Sequence, residues 1–396
     1  MAVINKCLGN CILCGKCANT PILEFFEEPK LLQSTFDGFG IAIDIGTTTV
    51  VLALLDFSSS QVIARHSFLN PQRAFGPDVI SRIDASNNGS LEELRDAIRE
   101  SIASNIKILL SKKGIGLSGV VNAAVSANTT MTALLLGFSC ESLGVAPFVP
   151  NFELAEGYHF SDVFGDMGID CPLHILPWMA AFVGGDITSG LLFVLGENKQ
   201  CFMLVDLGTN GEMLLYNKGK ITVAATAAGP AFEQPVADKS KDGAGFAGAS
   251  DVIAALADLV RQGIVNETGA SKNEDIFTKR QIRDLQLAKS AIRSGLEILI
   301  EHNNLSYEDI EKVYLAGGIG QNIDVDAAVT IGLIPGVLRD KAAAVGNASL
   351  GGAVSFLCAP KESKARVKTL LTSSTELNLA THPRFNDCFM KYMFFR

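Results

Sequence analysis

Two short stretches of this chain hold residues whose types and spacing suit phosphate chemistry. The first is Phe39 to Val50, FGIAIDIGTTTV. Ile41, Ile43 and Ile45 alternate with small or polar residues, the period of two expected of a half-buried strand. The strand runs into Gly46-Thr47-Thr48-Thr49 and resumes as Val50 to Leu55, predicting a β-hairpin whose turn carries one glycine and three hydroxyls. Glycine lets a ligand approach the backbone closely, and successive N–H groups in such a turn form a concave anion site. Asp44, at the end of the first strand, would face the same place and could hold a metal ion. The design recurs at Phe202 to Leu207, which contains Asp206, followed by Gly208-Thr209-Asn210-Gly211-Glu212 and a second apolar strand, Met213 to Tyr216. One Asp-x-Gly-Thr turn is a weak signal. Two suggest related lobes whose hairpins face each other across a cleft, an arrangement suited to Mg2+ and a polyphosphate. The alternative is two unrelated hairpins.

A second chemistry is written at the N-terminus, where Cys7, Cys11, Cys14 and Cys17 put four thiols into eleven residues. No helix or strand can use cysteines so spaced as core, so a metal site is expected. The Cys11-x2-Cys14-x2-Cys17 run followed by Pro21 is close to ferredoxin-type ligation of a 4Fe–4S cluster. Zinc is the alternative, although its thiolate sites usually split into two pairs separated by a longer loop. The five remaining cysteines stand singly and read as small buried hydrophobes.

These groups must be positioned by a chain of 396 residues, 48% hydrophobic, enough for two or three domains. A net charge of −9 and a pI of about 5.2 argue against nonspecific nucleic-acid or anionic-membrane binding. No run of eighteen apolar residues and no secretory leader are present, so a soluble, cytoplasmic protein is expected. The reading divides the chain into a metal-cluster segment (1–20), a linker (21–38), a first lobe (39–187), a second lobe (188–360) and a C-terminal segment that packs back on the lobes (361–396).

In the first lobe, Val62 to Phe68 is a third strand and Leu91 to Leu110 an amphipathic helix. The polar, proline-punctuated run Asn70 to Ile83 either caps a helix or lines a cleft. Val120 to Val125 is a strand, after which Asn128 and its neighbouring threonines serve as helix caps or as phosphate donors. Gly184-Gly185-Asp186 opens a helix bridging the lobes, permits close packing and places a carboxylate where they meet. His66, His159 and His174 read as structural. In the second lobe, Ile221 to Ala227 is a strand, 235–248 a glycine-rich loop, and Asp251 to Gly263 and Thr278 to His302 helices. Arg283 and Lys289 on the last helix are long enough to reach a nucleotide. Val313 to Ala316 is a buried strand entering Gly317-Gly318-Ile319-Gly320, where bare backbone allows a flat base or ribose to lie. Neither a Rossmann fingerprint nor a P-loop occurs.

Asp44-x-Gly-Thr, Asp206-x-Gly-Thr and Ala316-Gly-Gly-x-Gly, in this order, resemble the two phosphate motifs and the adenosine motif of the actin, Hsp70 and sugar-kinase superfamily. Within it, FGIAIDIGTTTV, LNPQ-x3-G-x-DVISRI, ANTTMTALLLG, LPWMAAFVGGDI, VDLGTNGE, AAGPAFE, QIRDLQLAKSAIRSG, LAGGIGQNIDVDAAVTIGLIP and VGNASLGGA resemble the ATP-dependent reductive activators of corrinoid proteins. The resemblance implies an α/β, two-lobed, ribonuclease H-like ATPase fold. It implies ATP and Mg2+, with Asp44 and Asp206 holding the metal directly or through water. Thr47, Thr48, Thr49, Gly46, Gly208, Thr209 and Asn210 would cradle phosphates. Gly317 and Gly318 would face adenosine, with Gly229, Gly320 and Lys289 also at the nucleotide, and Asp186 and Glu212 would position the attacking water. The implied activity is ATP-driven transfer of one electron from an iron–sulfur centre to an inactivated Co(II) corrinoid protein, with an external reductant such as ferredoxin and with a homodimer left open. The alternatives are activation of another iron–sulfur or radical enzyme, some other low-potential acceptor, or a small-molecule kinase. Two departures stand out. The best-known members carry a plant-type 2Fe–2S ferredoxin domain at the N-terminus or ferredoxin-like clusters at the C-terminus, where this chain has the compact four-cysteine segment, and the run after AAGPAFE is short here.

Overall fold

A computed structural model describes residues 36–196, 200–233, 249–272, 276–320 and 322–395. The four N-terminal cysteines, the linker before Phe36 and the glycine-rich 235–248 loop lie outside the described residues. The described chain forms two compact units with separate hydrophobic cores. One runs to Phe193 and includes Ala348–Thr369; the other comprises Val194–Asn347 and the chain from Leu370 onward.

The first unit is built on a sheet of β1 (Phe39–Ile45), β2 (Thr49–Asp56), β3 (Gln61–Leu69), β4 (Val120–Ala127) and β5 (Leu173–Ile175), in the order β3-β2-β1-β4-β5. The first three strands are an antiparallel meander, and β4 and β5 run parallel to β1 and β4 respectively. The alternation in β1 has a different cause from the one its pattern suggests. Ile41, Ala42 and Ile43 are all fully buried, so neither face meets water. The isoleucines join the core with Leu94, Ile98 and Ile102 of the Leu91–Lys113 helix. The small residues face the Ala348–Cys358 helix instead. A Cβ on Gly40 would stand 3.4 Å from Leu357, and Asp44 meets Ser349.

That helix corrects the linear division, which assigned 188–360 to the second lobe. Ala348–Cys358 belongs to the first unit because its glycines allow backbones to touch. A Cβ on Gly352 would lie 1.8 Å from the Ser189 carbonyl oxygen in the Gly185–Leu195 helix.

The second unit repeats the meander-plus-parallel-strand pattern. β6 (Phe202–Leu207), β7 (Gly211–Asn217) and β8 (Lys220–Thr226) are antiparallel, and β9 (Lys312–Ala316) runs parallel to β6. The outer strands β10 (Ala342–Ala344) and β11 (Ser374–Glu376), which the sequence pattern does not announce, complete the order β10-β9-β6-β7-β8-β11. The Lys279–His302 helix starts at a capping box in which Thr278 and Gln281 satisfy each other's backbone. It buries Ile282, Leu285, Ile292 and Leu296 against the core. Its next face holds the C-terminal tail. Gln286 donates to the Met393 carbonyl, Ser290 to that of Phe389 and the Lys289 ammonium to that of Phe394.

Two predictions follow from this packing. Gly352→Ala is expected to lower stability by at least about 1–3 kcal/mol, because two helix backbones would have to part; an unchanged melting curve would contradict the contact. Burial, helped by the Arg293 charge, pulls the Lys289 ammonium down to about 7, whereas in an unfolded chain a lysine keeps its proton to about 10.4. Between those values the folded state holds fewer protons than the unfolded one, so stability should rise with pH. Melting temperatures from about pH 6 to about pH 9 should climb in the parent protein and climb less in Lys289→Met. Parallel curves would remove Lys289 as the cause.

Candidate functional site

In the first unit, β1, β3 and β4 point the same way, so their carboxyl ends bring together the residues that follow them: the Gly46–Thr49 turn, Asn70 and Asn128. The turn is held from behind by its carbonyls. Asn70 donates its side-chain amide to Gly46 O at 2.8 Å and its backbone N–H to Thr48 O at 2.9 Å. Arg82 donates to Thr47 O at 2.6 Å. A trans peptide carries its C=O and the following N–H on opposite sides. Each held carbonyl therefore turns the next N–H away from its donor. The N–H groups of Thr47 and Thr48 have no partner among the described residues, which leaves them available to an anion. Asn128 is a helix cap, the first of the two readings offered for it. Its Oδ1 caps the Thr129–Leu136 helix by accepting from Met131 N–H at 2.9 Å, and its amide reaches Thr47 Oγ1 at 3.3 Å.

Asp44 stands beside this turn in a hydroxyl chain. Ser349 donates to its Oδ1 at 2.6 Å, and Ser126 Oγ lies 2.8 Å from Ser349 Oγ. Ser349 gives its single proton to the carboxylate, so the one Ser126 proton is shared between Ser349 Oγ and the Gly185 carbonyl, 3.2 Å away. Ser189 then fixes the Ser349 backbone by donating to its carbonyl at 2.6 Å. Asp186 is brought close by its glycines. A Cβ on Gly184 would lie 2.4 Å from Asn128 Cα, and one on Gly185 would lie 2.2 Å from Leu176 O. Only bare backbone lets the helix start this near the turn. Burial above all, with the Asp44 charge adding to it and the Ile187 N–H opposing, pushes the Asp186 carboxyl up to about 7.

In the second unit, Asp206 and Gly317 sit at the carboxyl ends of the adjacent parallel strands β6 and β9, the end at which α/β sheets take ligands. The contact between them is tight. Gly317 has φ +83°, and a Cβ there would lie 2.1 Å from Asp206 Oδ1. Gly317 begins a short helical turn, Gly317–Gly320, at the glycine turn that the sequence suggests. Among the described residues, a Cβ on Gly318 or Gly229 meets no atom within 4 Å. Glu212 pairs directly across from Asp206 on β7, so both carboxylates leave the same face of the sheet. The two hairpins are similar without being identical. Four residues, Gly46 to Thr49, lie between the paired Ile45 and Val50, but only Gly208 to Asn210 lie between Leu207 and Gly211.

These donor sets fit a magnesium nucleotide. Like charges directly opposite on a sheet repel, and a divalent cation offsets that repulsion. Carboxylate and hydroxyl oxygens are the donors a hard cation prefers. Among the described residues no three or more His, Cys, Asp or Glu side chains gather into a metal cage. Mg2+ takes one or two carboxylates and completes its shell with phosphates and water.

The structure brings Asp44, Asp186 and Thr47 to Thr49 together in the first unit, and Asp206, Glu212, Gly208 and Gly317 together in the second. It does not add Lys289 to the second set. That side chain is only 1% exposed, and its ammonium is bound to the tail carbonyl beneath the Phe395 ring. Sequence reasoning missed the supporting groups Asn70, Arg82, Ser126 and Ser349. A signal existed for Arg82, a charge on the buried face of a helix otherwise marked by Val79 and Ile83. None existed for Ser349, because its partner Asp44 lies 305 residues away.

Comparison with known proteins agrees with this geometry. Residues 39–196 match the family described as RACo middle region, and residues 200–243 and 264–396 match the C-terminal domain of RACo, the ASKHA domain. The chain is 32% identical to the corrinoid activation enzyme RamQ of Eubacterium limosum, over 89% of this chain and 69% of that protein. It is 23% identical to the Co(II) methylated amine-specific corrinoid protein reductase of Methanosarcina barkeri, over 89% of this chain and 76% of that one. A solved structure of a reductive activator for corrinoid, iron-sulfur protein superposes with a TM-score of 0.80 and 31% identity, covering 91% of this chain and 67% of that chain. The chain belongs to the RACo family, with an α/β, ASKHA-type C-terminal domain.

Proposed function

We propose that this protein is an ATP-hydrolysing reductive activator that delivers one electron to the Co(II) of an inactivated corrinoid protein and so restores Co(I). Family membership supports the redox half of this reading. The observation that carries the nucleotide half is the Asp206 carboxylate laid against the bare Cα of Gly317, with no described residue within 4 Å of a Cβ placed on Gly318 beside it.

Asp44 and Asp206 hold Mg2+, directly or through water, and Ser349 keeps the Asp44 carboxylate in one orientation. The N–H groups and hydroxyls of Thr47, Thr48 and Thr49 take phosphate oxygens, as do Gly208, Thr209 and Asn210. Gly229, Gly317, Gly318 and Gly320 leave room for the adenosine. Asp186 and Glu212 orient the attacking water, a task that needs position and charge more than proton affinity. Bound at these residues, Mg-ATP supplies the free energy of phosphoanhydride cleavage. Cys7, Cys11, Cys14 and Cys17 are assigned to a 4Fe–4S cluster, which would supply a low-potential electron; zinc is the alternative for the same thiolates. A ferredoxin-like donor outside the chain replaces each electron passed on. Among the described residues no helix is long and apolar enough to cross a membrane.

Asp206→Asn is expected to reduce ATP turnover by about a hundredfold or more while leaving the iron and sulfide content of anaerobically purified protein unchanged. Mixed with a Co(II) corrinoid protein and a reductant, the parent protein should remove the Co(II) electron paramagnetic resonance signal only when ATP is added. Removal of that signal at the same rate without ATP would defeat the coupling. A colourless, iron-free preparation would defeat the cluster assignment alone.

A further inference from the structure

One buried charge near the phosphate turn has no role in the reading above. Arg82 is fully buried on the Val79–Ala85 helix. Its Nε donates to Gly76 O at 3.0 Å, Nη1 to Met131 Sδ at 3.2 Å and Nη2 to Thr47 O at 2.6 Å. None of these acceptors carries a charge. Arg73 adds a second positive charge, and it is opposed by the Asp78 carboxylate, which caps the same helix by accepting from Ser81 N–H at 2.8 Å. Burial, the main cause, lowers the guanidinium only to about 10, so it stays protonated at neutral pH.

A buried cation without a carboxylate is costly. One bond to a turn carbonyl is a weak reason to keep it there, since Asn70 secures the two neighbouring carbonyls with a neutral side chain and its own backbone. A multiply charged anion in front of the turn offsets that cost, because attraction through a poorly solvated interior is only weakly screened.

We infer that Arg82 is a positioning residue for the nucleotide phosphates. It locks the Thr47 peptide with its N–H side toward the ligand and supplies a fixed positive charge behind the turn. This rests on the nucleotide reading above and adds to it a specificity, since the charge favours the triphosphate and is indifferent to the nucleoside.

Calorimetric titration of Mg-ATP, and of adenosine by competition, into the full-length parent protein, Arg82→Gln and Arg82→Lys tests this. Arg82→Gln should bind Mg-ATP about tenfold to a hundredfold more weakly and bind adenosine as before. Arg82→Lys should recover part of the loss, because it restores the charge without the planar fork. Equal weakening for both ligands, or none for Mg-ATP, would overturn the assignment, since a merely structural arginine predicts no discrimination. Should Arg82→Gln fail to fold by circular dichroism, Arg82→Lys decides alone. Weaker Mg-ATP binding with adenosine unchanged supports the inference, and parallel behaviour of the two ligands overturns it. A parent protein that binds adenosine but not Mg-ATP defeats this inference, whereas one that binds neither defeats the nucleotide reading beneath it.

Discussion

A carboxylate at the end of a strand buried on both faces can keep its charge only if donors stand close enough to replace water. In the first unit that constraint is met by bringing backbones into contact. Gly352 lets the Ala348–Cys358 helix lie against Ser189, which anchors Ser349, and Ser349 donates to Asp44. Gly184 and Gly185 let a second helix begin against Asn128 and Leu176, which sets Asp186 beside the same carboxylate. Small residues thus do the positioning, and the polar groups report the result. Two acids kept near each other make a place where a divalent cation is favoured.

The second unit meets a related demand with different parts. Asp206 leans on Gly317, whose positive φ and missing side chain leave the space that the carboxylate fills. Its cross-strand neighbour is Glu212, whereas Asp44 pairs with Val51 at the corresponding place. The two sheets share a meander with a parallel strand on its far side, yet their turns differ by one residue and their acids are supported differently. The likeness is therefore one of strand order and of a carboxylate at a strand end, with each turn adapted to its own neighbours.

Arginine behind one turn and lysine behind a helix give buried charge two distinct uses. Lys289 lies where its proton is easily lost, and the neutral amine still has N–H groups to donate, more weakly, to the tail carbonyl. Arg82 cannot lose its proton near neutral pH, so its charge persists whatever the solvent does. A site for a highly charged ligand is better served by the second kind.

Local chemistry was enough to place the strands, the long helices, both Asp-x-Gly-Thr turns and the glycine turn after β9, because period, capping and glycine's freedom act over a few residues. Tertiary structure alone decided that Ala348–Cys358 returns to the first unit, that Ser349 serves Asp44, that Arg82 holds Thr47 and that Lys289 turns to the tail. The short strands β10 and β11 belong to the same class, since only a neighbouring strand makes three residues extended. The physical reason is common to all of these. A side chain's partner across tens or hundreds of residues is chosen by which backbones can approach, and that is settled by packing and leaves no period in the sequence.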